Sequence, residues 1–155
     1  MLKLYELLKN SNLKIVTAKK FYINQKDEQL ILEKQTEFIS LKTRQEIIES
    51  AIEQKFDLII FDDGLQEKTV NYDLKFVCFD IQNWIGNGCL IPSGPLREKV
   101  ESLKKYDGVF LKSINKDPKS NKISSILKQI NPNIKIFNSI VYIKNFEKFD
   151  ISKKY

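Results

Sequence analysis

The sequence predicts an α/β fold, a mostly parallel sheet with helical crossovers. Three observations carry this. Several short runs are continuously apolar and β-rich, as in strands covered on both faces, rather than alternating in polarity. Segments between them repeat their apolar residues at helical spacing. The two kinds of segment alternate along the chain, the order expected of parallel strands joined by helices, with functional loops gathered at the carboxyl ends of the strands. The 155 residues suffice to bury about two-thirds of the surface of the unfolded chain. With no internal repeat and no linker in view, residues 1–155 are expected to form a single domain.

Taken in order, Leu2 to Leu8 read as the end of an amphipathic helix, with Leu2, Leu4, Tyr5, Leu7 and Leu8 forming a broad apolar face. LKIVT, residues 13 to 17, reads as a buried strand. Thr43 and Glu46 have the spacing of a capping box, and Ile47, Ile48, Ala51 and Ile52 recur on one face of the helix that it opens. This helix leads into a strand over 57 to 61. LKFVCF at 74 to 79, GVFL at 108 to 111 and KIFNSIVYI at 135 to 143 are the remaining strands. Ile123, Ile126, Leu127 and Ile130 mark a helix that NPN at 131 to 133 stops.

Composition excludes more than it selects. Apolar residues at 42% and charged residues at 30% place the chain among soluble globular proteins rather than disordered or membrane-spanning ones. The formal charge of +6 comes from scattered lysines. These read as solvated surface, with a surplus that suits phosphate groups or an anionic membrane surface. No aromatic residues punctuate a basic stripe and no zinc-finger or RRM-like spacing occurs, so nucleic acid is not an expected partner. Cys78 and Cys89 form no CxxC pair and the chain has no histidine, which points away from a zinc site or a disulfide framework. Both cysteines are expected to be buried thiols.

The chemistry is expected at FDDGLQ, residues 61 to 66, directly after DLII. An apolar strand ending in aspartate can set a carboxylate beside nucleotide phosphates, where it holds Mg²⁺ directly or through water. Aspartates also end strands as turn formers or helix caps, so this pair alone leaves both readings open. Four of the five glycines and two of the four prolines fall between Gly64 and Pro95, which marks a long shaped loop. Within IGNGCLIPSGPLRE, residues 85 to 98, Gly86, Gly88 and Gly94 allow close backbone approach while Pro92 and Pro95 stiffen the path. Arg97 and Glu98 are expected at or near the first turn of a helix, where an anion can meet a guanidinium and free N–H groups. The alternative is a structural turn with Arg97 and Glu98 paired to surface neighbours.

Taken together, DDGLQ, NYDLKFVCFD and GNGCLIPSGPLRE resemble the tetraacyldisaccharide 4'-kinase family, most clearly over residues 57 to 112. The resemblance implies a P-loop-NTPase-like fold, here incomplete. It implies transfer of the γ-phosphate of ATP to the 4'-hydroxyl of the lipid A disaccharide precursor, with ATP and Mg²⁺ as cofactors. It also implies a peripheral position on the cytoplasmic face of the inner membrane. Carried over residue by residue, Asp62 and Asp63 correspond to the acidic pair near the metal. Asp27 and Glu28 resemble the family's Gly-Asp-Glu segment, whose aspartate is the expected base; two solvated residues of a first helical turn are the competing reading. Arg44 resembles the basic residue opening the next helix, while Gly64, Gln66, Arg97 and Glu98 belong to the substrate or nucleotide vicinity. Lys20, Phe21 and Tyr22 stand near the family's Arg-Gly-Tyr, with Phe21 expected in the core.

The chain departs from the family pattern in two respects. It has no GxxxxGK[ST], the glycine-rich loop and lysine that cradle the β- and γ-phosphates. It also carries Glu67 where the family has a histidine, and a second family histidine would fall past residue 155. The expectation is therefore a partial kinase domain, the middle of an enzyme about twice as long. A separate P-loop-containing chain would complete it as one half of a split kinase; a catalytically silent remnant is the alternative.

Overall fold

The computed structural model describes residues 1–23, 26–65, 67, 69–114 and 117–141. The chain forms two compact units, Met1–Asn71 and Tyr72–Tyr155.

The first unit contains α1 (Leu2–Leu8), β1 (Ile15–Lys20), α2 (Lys26–Gln35), β2 (Phe38–Leu41), α3 (Arg44–Glu53) and β3 (Leu58–Phe61). Its strands are ordered β2-β1-β3, every pairing parallel, with Thr17 opposite Phe38 and Val16 opposite Ile59. Central β1 is buried along Ile15, Val16, Thr17, Ala18 and Lys19. Four of these five are apolar or hydroxylated, as a strand covered on both faces requires. The Thr17 hydroxyl is satisfied by the Thr36 hydroxyl at 2.6 Å and by the Glu37 carbonyl at 3.1 Å. Ile47 and Ala51 of α3 are buried with Leu32 of α2 and Ile60 of β3, one helical turn apart on the face that the periodicity marks.

The capping box forms as its spacing dictates. Thr43 Oγ1 accepts from the Glu46 N–H at 3.2 Å, and the Glu46 carboxylate accepts from the Thr43 N–H at 3.0 Å. Two otherwise orphaned donors at the start of α3 are thereby satisfied.

The second unit contains β4 (Phe76–Asp80), a 3₁₀ helix (Val100–Lys105), β5 (Gly108–Ser113), α4 (Lys119–Ile130) and β6 (Lys135–Ile140). The order is β4-β5-β6, again wholly parallel. Ile81, Leu103, Val109, Leu111, Ile123, Leu127 and Ile134 form its core. Phe76, Phe110 and Phe137 lie on the other face of the sheet, with the last two stacked at 5.0 Å between centroids. Asn131 ends α4 where NPN was expected to, and its side-chain amide donates to the carbonyls of Leu103 and Tyr106, each at 3.0 Å.

All strand pairs are parallel, as expected, but they belong to two three-stranded sheets rather than to one, because β4 pairs with β5 and not with β3. Two cysteines and one aromatic ring also depart from expectation. Cys78 is exposed because it lies on the strand face opposite Val77 and Phe79, which pack on the core; Cys89 is exposed in the loop. Phe21 is 41% exposed; it stands one residue past the end of β1, with its N–H still donating to the Leu41 carbonyl at 2.9 Å.

Candidate active site

Parallel topology brings the carboxyl ends of β1, β2 and β3 to one edge of the first unit. The edge collects Lys19 and Lys20 at the end of β1, Asp62 and Asp63 just after β3, and Arg44 as the first residue of the helix following β2. Asp27 and Glu28 occupy the first turn of α2, where carboxylates oppose the positive end of the helix dipole. Both are exposed.

One amine draws several of these residues together. The Lys19 side chain is 7% exposed, and its Nζ donates to the Glu28 carboxylate and lies 3.4 Å from Oδ2 of Asp62. Burial by itself pulls the ammonium pKa down. The hydrogen bond that Lys19 donates to Glu28 and the charges of Asp62 and Glu28 outweigh it and hold Lys19 above the ordinary lysine value of 10.5. The sequence reading passed over Lys19 as one solvated lysine among many. No local signal sets it apart, since β1 ends in two consecutive lysines, Lys19 and Lys20, of which Lys19 is the more deeply buried.

The acidic pair divides its roles. The Asp62 N–H continues the sheet ladder by donating to the Ala18 carbonyl at 2.8 Å, and its half-buried carboxylate faces Lys19. Asp63 turns the chain with φ of 54°, a left-handed conformation that Asp and Asn tolerate better than most residues. The turn aims the Asp63 carbonyl at Nη2 of Arg44, 2.8 Å away, and leaves its carboxylate side exposed. Gly64 follows and is buried.

Arg44 is buried and spans two partners, Asp63 through Nη2 and the Glu67 carboxylate through Nη1. Among the described residues its Nε has no hydrogen-bond partner. Gln66 lies outside the described residues.

In the second unit the loop from Ile85 to Glu98 is closed by its own hydrogen bonds. The Gly94 N–H donates to the Leu90 carbonyl at 3.0 Å, the Ile91 N–H to Leu96 at 2.9 Å, and the Asn87 amide to the Ser93 carbonyl at 2.8 Å. A Cβ at Gly94 would stand 2.4 Å from the Cys89 carbonyl oxygen, so only glycine fits. Arg97 and Glu98 are exposed and lie three and two positions before Val100, the first residue of the 3₁₀ helix, with Lys99 as its cap. Glu98 accepts from the Tyr106 hydroxyl at 3.1 Å. Burial, then this contact, push the Tyr106 pKa up to about 12.

Among the described residues no group of three or more Cys, Asp or Glu side chains is placed to hold a metal alone, and no helix is long and apolar enough to cross a membrane. Comparison with known proteins gives one consistent answer. The model of the family described as LpxK, tetraacyldisaccharide-1-P 4'-kinase, matches residues 7–151. A protein named tetraacyldisaccharide 4'-kinase from Pelagibacter ubique (strain HTCC1062) is 44% identical over 155 residues, 99% of this chain and 48% of that protein. One of the same name from Rickettsia africae (strain ESF-5) is 38% identical over 125 residues, 79% of this chain and 39% of that protein. A third, from Pseudomonas aeruginosa (strain LESB58), is 39% identical over 66 residues, 43% of this chain and 20% of that protein. The chain thus spans about half or less of the length of these curated relatives. No solved structure matches it. On the extent of these matches, the chain belongs to the tetraacyldisaccharide-1-P 4'-kinase family.

Proposed function

We propose that this chain carries the acceptor-side and metal-side carboxylates of an ATP-dependent lipid A 4'-kinase, whose phosphate cradle lies outside these 155 residues, on the same polypeptide or a separate one. The observation that supports it most is the meeting of Glu28, next to Asp27, with Asp62, next to Asp63, on one buried ammonium. Base and metal carboxylates must lie this near each other if both are to serve one phosphoryl group.

In this reading the 4'-hydroxyl oxygen of the disaccharide attacks the γ-phosphorus of ATP. A new O–P bond forms as the bond to the β,γ-bridging oxygen breaks, ADP leaves with that electron pair, and the Asp27 carboxylate takes the hydroxyl proton. Arg44 fixes the turn through Asp63, while Gly64, Gln66, Arg97 and Glu98 belong to the substrate and nucleotide surroundings. Two carboxylates are too few to hold a divalent ion alone, but they suit Mg²⁺, which commonly takes one or two protein carboxylates and fills its other positions with water and phosphate. Asp62 and Asp63 would hold it. Bound there, Mg²⁺ would neutralise the charge that builds on the transferring phosphoryl group.

The lipid A precursor places the work at the cytoplasmic face of the inner membrane, and the chain's charge of +6 favours peripheral contact with an anionic surface. The test is to mix the purified chain with a P-loop-bearing segment and follow labelled γ-phosphate into the disaccharide precursor. Transfer that depends on both components and is abolished by Asp63→Asn supports the reading. No transfer overturns it in favour of a silent remnant, and transfer indifferent to Asp63→Asn overturns the placing of Asp63 on the metal side.

A further inference from the structure

Lys19 is an unusual residue to find in the middle of a sheet. It sits on the central strand with its side chain 7% exposed, while its two partners reach solvent, Glu28 at 59% and Asp62 at 38%. The cation is therefore the fixed member of the group and the carboxylates come to it from different elements. Glu28 comes from the first turn of α2, and Asp62 from the end of β3. The backbone of β1 is anchored on both sides by parallel pairing, with Lys19 opposite Ser40 of β2 and the neighbouring Ala18 opposite Phe61 of β3. An ammonium held this way cannot move far, and it occupies one carboxylate of the pair proposed above to take a divalent ion.

We propose that Lys19 is a positioning residue acting as a built-in counter-cation: it ties Glu28 to Asp62 and competes with a divalent metal ion for the Asp62 carboxylate. The inference rests on the reading of Asp62 as a metal-side residue. Two cations cannot share one carboxylate at close range without repulsion, so metal entry must loosen the Lys19–Asp62 contact and leave Lys19 on Glu28 alone. Lys19 thereby couples occupancy of the metal side to the position of α2, which bears Asp27.

The experiment uses the full chain and Mn²⁺ alone, with binding followed by electron paramagnetic resonance. Lys19→Met keeps the length and apolar stem of the side chain while removing the charge, and Lys19→Arg keeps the charge. The expected result is Mn²⁺ affinity about tenfold higher in Lys19→Met, the scale set by losing one cation beside a partly exposed carboxylate. Lys19→Arg should stay near wild type, and Asp62→Asn in the Lys19→Met background should cancel the gain. A merely structural lysine would leave affinity unchanged or lower it, and either outcome in folded Lys19→Met overturns the proposal, as does the absence of Mn²⁺ binding in both wild type and that variant. Should Lys19→Met fail to fold, nitrogen-labelled lysine NMR of the wild type decides. The Lys19 ammonium signal must shift on adding Mg²⁺ and must not shift in Asp62→Asn; a signal that ignores Mg²⁺ overturns the proposal. None of these measurements needs phosphate transfer, so the counter-cation role and the kinase reading can fail separately.

Discussion

Glu67 and Arg44 form an ion pair in which the guanidinium is 7% exposed and the carboxylate 29% exposed. The buried partner is the one that cannot lose its charge, so the pair holds only while Glu67 is ionised. The hydrogen bond from the Thr69 hydroxyl first, and Arg44 after it, hold the Glu67 carboxyl below its ordinary value of 4.5, against burial that pulls the other way. A depressed carboxylate contributes stability that is complete above its unfolded pKa and is lost as pH falls through the folded one. Glu67→Gln should therefore lower the melting temperature at neutral pH. The difference from wild type should shrink through the acid range below 4.5, which denaturation curves at a series of pH values would reveal.

Tyr106 should titrate late. With its pKa pushed up to about 12, the neutral phenol is favoured in the fold, and the associated stability is present below the ordinary value of 10.0 and lost as pH rises through about 12. Ultraviolet absorbance of phenolate across this window should show one delayed step that disappears in Tyr106→Phe. Its persistence in that variant would reject the assignment.

The loop glycines should differ in their tolerance of alanine. At Gly94 an added Cβ would meet the Asn87 side-chain oxygen at 2.2 Å and the Cys89 carbonyl oxygen at 2.4 Å, whereas Gly88, at φ of 73°, has nothing within 4 Å. Gly88→Ala should cost about 1–2 kcal/mol from its left-handed backbone alone. Gly94→Ala should cost more, about 2–4 kcal/mol, because backbone must move. Equal costs in denaturant titrations would contradict the loop geometry.

Thr43→Ala should cost about 1 kcal/mol, the usual loss for removing a helix cap oxygen. Since Arg44 is the next residue, amide exchange at the start of α3 should rise with it. Thr43→Ser should restore most of the loss.

Asp27→Asn should reduce phosphate transfer by the reconstituted kinase about 10²- to 10⁴-fold, the range for losing a general base, and the isolated chain should transfer little or none. A reconstituted Asp27→Asn protein working at the unmutated rate would remove Asp27 from the role of base.

The parts of the fold legible in the sequence are those written in local chemistry. Thr43 and Glu46 announce α3 because their two hydrogen bonds involve only residues three apart. Ile123 and Leu127 announce α4 because both are buried on one stripe. By contrast α2 is signalled only by the reading of Asp27 and Glu28 as residues of a first helical turn: Leu30, Ile31 and Leu32 are consecutive, and only Leu32 is buried while Leu30 and Ile31 stay about half exposed, so the apolar residues mark no repeating face. Strand β2, FISL, is interrupted by Ser40 and lacks the continuous apolar run that marks β3 over the same length of four residues. The run LKFVCF marks a strand but cannot say which face Cys78 takes. Within the candidate site, the carboxylates were legible as motif residues. Lys19 was not, because its burial depends on α2 and β3 arriving at the same end of β1, which no local pattern encodes.

The wholly parallel pairing of the first unit also sets how the protein comes into being. No strand of its sheet can pair with its sequence neighbour through a tight turn. Thr17 must find Phe38 across α2, and Val16 must find Ile59 across two helices and a strand. Each closure costs chain entropy before any ladder bond repays it, so folding should be slow for a unit of this size. Until then the apolar run of β1 waits uncovered, open to association with other copies. Cells making this chain should therefore yield more soluble protein when synthesis is slowed by low temperature.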